Sequence, residues 1–469
     1  MNFYSTDDGA LRHEFGMGKS GAGKTQYLMH RLRQQIRRGG GAMIVDAKLD
    51  YEFLDDLWSL LKTYNRQLDF RLVNIDNASM SHTYNPFLRG DAEAGTDRFI
   101  NTVDATNGGS GEHFKTQARI ALLPLLAALK SLGLAYNPMD LNILLRNPNA
   151  MEWLLRTLRE KNPRSDEYRS YSVFVDGYRT KDKDTGGYAI NIDRLNVQIG
   201  GVAGRLLPYG SLEMGKIMNT YSPQVDLLEC IANNQILFVM LPTLEKEGSA
   251  LSFAKLFLSD FRSCIASIYR DPVRYRPIIP FEAYLDEFGS YAMLAVARLF
   301  ELARGANIAM LPFFQTVANL TSLGPEFAIQ VMENTETKVF LNLGGKDSRN
   351  EAAEVSGEVL RNFKSLSRSS NSGSSNTAYD RELFDKISTS SARSSSTSER
   401  YDYRVRPEVF ENLKVGQAIV LSGGNAMKLQ LPMVKTTLRE KYQKIDFVTP
   451  SVLGVNMIER FDTEFALVS

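Results

Sequence analysis

Apolar positions along this chain follow two rhythms. Short, largely apolar runs at residues 42–46, 70–75, 236–242, 278–287, 308–314, 337–343 and 417–421 have the length of buried strands. Between them lie longer stretches, 26–38, 51–61, 249–269, 294–304 and one from 324, whose apolar residues return every three or four positions as on one helix face. Strands and helices that alternate this way predict an α/β fold with a mostly parallel sheet. Residues 10–16 fit a first short strand, although Arg12, His13 and Glu14 are unusually polar for one in the middle of such a sheet.

The alternation stops at Tyr84-Asn85-Pro86-Phe87. From about 91 to 221 only helical stretches are recognisable, at 114–132, 149–160 and, more loosely, 192–218, and the polar residues 161–187 read as an exposed loop. This predicts a core interrupted by an inserted all-α domain: residues 1–88, the first part of the core; 89–221, the insertion; and 222–469, the second part. The serine-dense stretch 365–398 fits a flexible linker or, since a core-like strand follows at 417–421, a long surface excursion within the core (about 365–400).

Composition narrows the class. At 469 residues the chain exceeds what one core usually supports, which predicts at least two domains. Apolar content of 43%, charged content of 23% and a net charge of +1 are those of an ordinary globular protein and exclude a global nucleic-acid-coating charge. Cys230 and Cys264 fit no metal spacing and suit a reducing compartment. The polar first ten residues carry no signal peptide, and the most apolar stretch, 120–129, is too short to span a membrane and is bounded by Arg119 and Lys130.

Chemistry enters through Gly18-Lys19-Ser20-Gly21-Ala22-Gly23-Lys24-Thr25, which satisfies the phosphate-binding pattern G-x-x-x-x-G-K-[ST]. Its glycines let successive N–H groups turn inward onto a polyphosphate, and the helix that follows adds the positive end of its dipole. Lys24 would reach the β- and γ-phosphates and Thr25 would offer its hydroxyl to Mg²⁺, so ATP and Mg²⁺ are the expected cofactors. At the end of the run 278–287, Asp286 is placed to hold the metal and Glu287 to orient and deprotonate the attacking water. Gln315 follows directly on the run 308–314 and would stand at the ligand-binding edge, able to hydrogen-bond the γ-phosphate or the water. Arg304, ahead of that run, reads either as a solvated arginine or as a charge reaching a neighbouring subunit's γ-phosphate; Arg298 is its nearest rival. Arg31, Arg33, Arg37 and Arg38 read as an exposed basic helix face.

In order and identity these motifs resemble the type IV secretion coupling proteins, the TraD/TraG group of conjugation ATPases. The resemblance is carried by Gly18 to Thr25, Tyr84-Asn85-Pro86, the run ending in Pro242, Leu285-Asp286-Glu287-Phe288-Gly289, Ala303-Arg304-Gly305-Ala306-Asn307-Ile308 with Gln315 seven residues on, and Arg406-Pro407-Glu408-Val409-Phe410-Glu411-Asn412-Leu413. Val225-Asp226-Leu227-Leu228-Glu229, Leu241-Pro242-Thr243-Leu244-Glu245 and Glu333-Asn334-Thr335-Glu336-Thr337-Lys338 are similar to its TrbC and DotL/IcmO branch. The resemblance implies a RecA-like P-loop NTPase core, ATP hydrolysis, and hexamers around a channel with Arg304 acting in trans. Implied partners are the secretion apparatus and a relaxosome with single-stranded DNA, or effector proteins with their adaptors. It also implies a cytoplasmic location at the inner membrane, anchored through a segment outside this chain, because the P-loop begins so near the first residue. A double-strand DNA translocase of the FtsK/HerA kind and a substrate-receptor platform with little turnover are the alternatives; the helical interruption speaks against the first and the intact motifs against the second.

Overall fold

A run in which every residue is apolar needs cover on both faces, and the sheet provides it. The computed structural model describes residues 6–103, 108–181, 187–372, 389–434, 439–454 and 456–461. In chain order its strands are β1 (Glu14–Met17), β2 (Ala42–Asp46), β3 (Phe70–Asn74), β4 (Arg179–Lys181), β5 (Tyr188–Ile190), β6 (Ile236–Met240), β7 (Phe281–Leu285), β8 (Ile308–Phe314), β9 (Thr337–Phe340), β10 (Glu358–Ser372), β11 (Thr389–Tyr403), β12 (Gln417–Ser422) and β13 (Asn425–Gln430). Nine of them form one sheet in the order β13-β12-β9-β1-β8-β7-β2-β6-β3. From β9 to β3 every neighbouring pair is parallel, and β12 and β13 close one edge antiparallel.

Along β2, Met43 and Val45 face one apolar layer and Ala42 and Ile44 the other, as the pleat requires. The second layer is built from helix Lys24–Arg37, through Tyr27, Leu28, Leu32 and Ile36, and helix Tyr51–Thr63, through Phe53, Leu54, Leu57, Trp58 and Leu61. Asp50 caps the latter, its side chain accepting from Phe53 N at 2.9 Å. The first layer holds helices Glu247–Arg270 and Leu294–Ala303 and continues without a break into the helical stretch.

The beginning of the chain differs from expectation. Residues Asp7–Leu11 are a helix, and the strand starts only at Glu14. His13 turns the corner at φ 64°, its Nε2 donating to Phe300 O and its Nδ1 accepting from Met310 N at 3.1 Å. A polar triplet at the head of a central strand is thus accommodated by a helix end, a corner and a buried network. In that network Tyr27 donates to Glu14 at 2.5 Å, and Arg31 lies 3.2 Å from Glu282 and 3.8 Å from Glu14. Arg31 is therefore not part of an exposed basic face: it sits under the helix, between β1 and β7.

Between Tyr84 and Val225 the chain forms helices Ala92–Ile100, Gly108–Ser131, Pro138–Arg146, Pro148–Lys161, Asp166–Asp176, Ile192–Gly210 and Leu212–Met218, with β4 and β5 as one small hairpin. The stretch expected as a loop, 161–187, contains helix Asp166–Asp176, capped by Ser165 and burying Tyr171 and Val175 four residues apart. At its root Asn85 Nδ2 donates to Tyr136 O (2.8 Å) and Thr220 O (2.9 Å), holding both ends together. Arg98 Nε lies 3.1 Å from buried Asp260 on helix Glu247–Arg270, which also accepts from Tyr84 OH at 2.7 Å.

Over its described residues the serine-dense stretch is a hairpin: β10 and β11 pair antiparallel from Glu358↔Tyr403 to Ser372↔Thr389, and residues 373–388 lie outside the described part. Residues 439–454 form no helix or strand and touch widely separated parts of the molecule. Tyr442 packs on Trp58 and Phe70, Ile445 O meets His82 Nε2 at 2.9 Å, and Leu453 O accepts from Ala135 N at 2.9 Å. Among the described residues no helix is long and apolar enough to cross a membrane.

Candidate nucleotide site

Parallel strands bring their carboxyl ends to one edge, where loops can converge on a ligand. β1 ends there at Met17 and leads through Gly18–Gly23 into the helix that opens at Lys24. The loop is anchored by Gly18 N to Phe314 O (3.1 Å) and Lys19 N to Asn342 O (2.9 Å). Gly23, at φ 104°, occupies backbone space that a side chain rarely reaches, and a Cβ on Gly18 would stand 2.9 Å from Leu341 Cβ. Such a loop aims its N–H groups outward from a helix N-terminus, a cradle for anionic oxygens. Lys24 Nζ, buried, donates to Gly18 O at 2.7 Å. Burial lowers its pKa, and Lys48 adds to that while Glu287 and Asp286 oppose it.

The acids come from β7, two strands away across β8. Asp286 N donates to Val45 O of β2 at 3.0 Å, and Glu287 at φ 50° turns the chain into the short turn Phe288–Ser290. Asp286 Oδ1 is buried and has no hydrogen-bond partner among the described residues. Burial raises the Asp286 pKa, with Glu287 pushing the same way and Lys48 and Lys24 opposing. Glu287 Oε1 lies 3.8 Å from Lys24 Nζ. The orphaned carboxylate oxygen and the glycine-shaped cradle fit a polyphosphate and a divalent cation. Among the described residues no group of three or more His, Cys, Asp or Glu side chains is assembled for a metal by itself. A Mg²⁺ would accordingly draw most of its oxygens from phosphate and water.

The register that pairs Met17 with Phe314 sets Gln315, half-buried, beside Gly18. The structure thus gathers Gly18, Lys19, Ser20, Gly21, Ala22, Gly23, Lys24, Thr25, Asp286, Glu287 and Gln315 on one edge. Arg304 is elsewhere. It precedes the amino end of β8, a seven-residue strand that spans roughly 20 Å to the nucleotide edge, and there it is half exposed and 3.1 Å from Asp8. Arg298, on the preceding helix, is exposed.

Two residues of this edge were not singled out by sequence. Asp46 ends β2, and burial lifts its pKa to about 6, opposed by the amides of Asp50 and Lys48 and supported by Asp286. Lys48 Nζ sits 2.6 Å from Glu287 Oε1 and 3.7 Å from Asp286 Oδ2. The signal was present: an acid at the end of an apolar run is the same pattern that exposed Asp286.

The sequence profile described as the TraM recognition site of TraD and TraG matches residues 280–407. The type 4 coupling protein DotL of Legionella pneumophila subsp. pneumophila (strain Philadelphia 1) is 25% identical over 386 residues, covering 73% of this chain and 48% of DotL. The chain thus spans about half the length of that curated relative. Among solved structures, the bacterial conjugative coupling protein TrwBdeltaN70 in its unbound monoclinic form is similar with a TM-score of 0.60 at 15% identity, covering 93% of this chain and 88% of that chain. TrwB in complex with ADP and Mg²⁺ matches with a TM-score of 0.59 at 13% identity over the same shares. The parallel sheet and its helices are those of the RecA-like P-loop fold seen in TrwB.

Proposed function

We propose that this chain, of the TraD/TraG type of type IV coupling proteins by sequence and by fold, hydrolyses ATP to move substrates into a type IV secretion or conjugation channel. The substrates are single-stranded DNA with its relaxase, effector proteins, or both. The observation that carries the reading is the meeting of buried Lys24, the orphaned oxygen of Asp286 and the carboxylate of Glu287 on the edge where the P-loop opens.

In this reading the Gly18–Thr25 backbone and Lys24 bind the phosphates, while the Thr25 hydroxyl and Asp286 hold Mg²⁺. The bound metal supplies charge neutralisation on the phosphate oxygens. Glu287 takes the proton of the attacking water, and Gln315 orients that water. Arg304 lies too far from its own chain's loop to serve it. Exposed at the opposite edge, it suits a neighbour's site, which favours a homo-hexamer with nucleotide at the subunit interfaces.

The helical stretch, residues 89–221, is then the insertion that interrupts core residues 1–88 and 222–469, clamped at its root by Asn85 and sharing its apolar interior with one face of the sheet. It is the surface that meets secretion components, relaxosome or effector–adaptor complexes. The assembly works at the cytoplasmic face of the inner membrane. ATP hydrolysis measured across protein concentrations, with and without single-stranded DNA, tests the reading. A rate that climbs steeply with concentration and rises further with DNA is expected; a rate indifferent to both contradicts a ring-forming DNA motor.

A further inference from the structure

Lys48 has a built position that the P-loop chemistry above does not use. We propose that Lys48 is a second phosphate-binding cation of the nucleotide site, one that contacts the terminal phosphate and thereby sets the preference for a nucleoside triphosphate over a diphosphate. The proposal rests on the P-loop reading of Gly18–Thr25.

Its first support is position. Glu287 Oε1 lies 2.6 Å from Lys48 Nζ and 3.8 Å from Lys24 Nζ, so the two ammonium groups flank one oxygen. A phosphate oxygen taking the place of Glu287 Oε1 would meet both. Lys24 is tied to Gly18 O on the loop side, which leaves Lys48 to approach from the side of β2 and β7, beyond the acids.

The second support is the loop that presents it. Asp46 Oδ1 accepts from Lys48 N at 3.0 Å and Asp46 Oδ2 from Asp50 N at 2.7 Å, while Thr243 Oγ1 donates to Ala47 O. Leu49 is held at φ 57°. A leucine in the left-handed region is strained and persists where its surroundings over-determine it, as they do at ligand-clamping loops. Three tethers and one strained residue thus fix the backbone of a lysine whose side chain, 42% exposed, keeps the freedom to exchange carboxylate for phosphate oxygens.

A lysine that merely neutralised Asp286 and Glu287 would affect triphosphate and diphosphate alike, or change only stability. Binding separates the two roles. Affinities for ADPNP and for ADP, each with Mg²⁺, are measured by competition against a fluorescent nucleotide on the full chain, for wild type, Lys48→Met, Lys48→Gln, Lys48→Arg and Lys24→Ala. Loss of a hydrogen bond between charged groups predicts that Lys48→Met and Lys48→Gln weaken ADPNP about tenfold or more and ADP less than about threefold. Lys48→Arg should retain most of the preference, and Lys24→Ala should weaken both nucleotides. Equal weakening of both, or of neither, in the Lys48 variants while Lys24→Ala weakens both would overturn the role of Lys48. No loss on Lys24→Ala would instead overturn the P-loop reading.

Discussion

Replacing Arg31 by Met removes the cation from beneath the P-loop helix while keeping most of the side-chain volume. Its guanidinium lies 3.2 Å from Glu282 and 3.8 Å from Glu14, and both carboxylates are about 95% buried. At an effective dielectric constant of about 20, contacts this close are worth roughly 4–5 kcal/mol each before desolvation. Desolvation cancels much of that in the intact network, but a broken one leaves Glu14 buried with no cation and Glu282 with only the partly exposed Arg38 at 3.8 Å, a net loss of about 3–5 kcal/mol. For a chain of this size the loss lowers the thermal midpoint by several degrees at neutral pH. Burial already raises the Glu14 pKa with Arg31 in place, and the variant raises it further. A carboxylate whose folded pKa exceeds its unfolded value destabilises above the unfolded value and is relieved by protonation, so the deficit narrows as pH falls toward 5. Differential scanning fluorimetry of wild type and Arg31→Met across that range reads both effects. Adding Glu14→Gln and Glu282→Gln should recover much of the midpoint. A variant within about 1 °C of wild type at neutral pH would refute the buried network.

Two further outcomes follow from single contacts. Burial depresses His13 to about 4 against an unfolded value of about 6.5, so its neutral form contributes stability that is full above pH 6.5 and lost as pH falls toward 4, at most about 3 kcal/mol. The thermal midpoints of wild type and His13→Gln should converge over that window; parallel profiles would contradict it. Tyr442→Ala removes an aromatic contact with Trp58 and Phe70, a loss of about 3–5 kcal/mol for a buried ring. Limited proteolysis should then cut within residues 439–454 well before the wild type is cut, and an unchanged pattern would show the segment held by other contacts.

Strand runs and the P-loop were legible in the sequence because each is a local pattern. The run at β8 was bounded correctly at both ends, and β2 likewise, since a buried parallel strand is apolar throughout. The stretch 10–16 misled because its polar residues answer to partners far along the chain: His13 to Phe300 and Met310, and Glu14 to Tyr27 and Arg31. Arg31 looked exposed for the same reason, since its acids lie on two different strands. Helix Asp166–Asp176 escaped notice because it lies within a stretch dense in charged and turn residues and the burial of Tyr171 and Val175 depends on neighbouring helices. Asp286, Glu287 and Gln315 could be placed from strand ends alone. Lys48 could not, because only the sheet order sets β2 beside β7.

Hydrolysis and binding of ATP by Glu287→Gln, beside wild type, test the central claim most directly. The wild type should hydrolyse ATP, and the variant should bind it with near-normal affinity while its rate falls about 100-fold or more, as expected when a general base loses its carboxylate. Wild-type turnover in the variant, or no hydrolysis by the wild type under assembling conditions, would contradict the account.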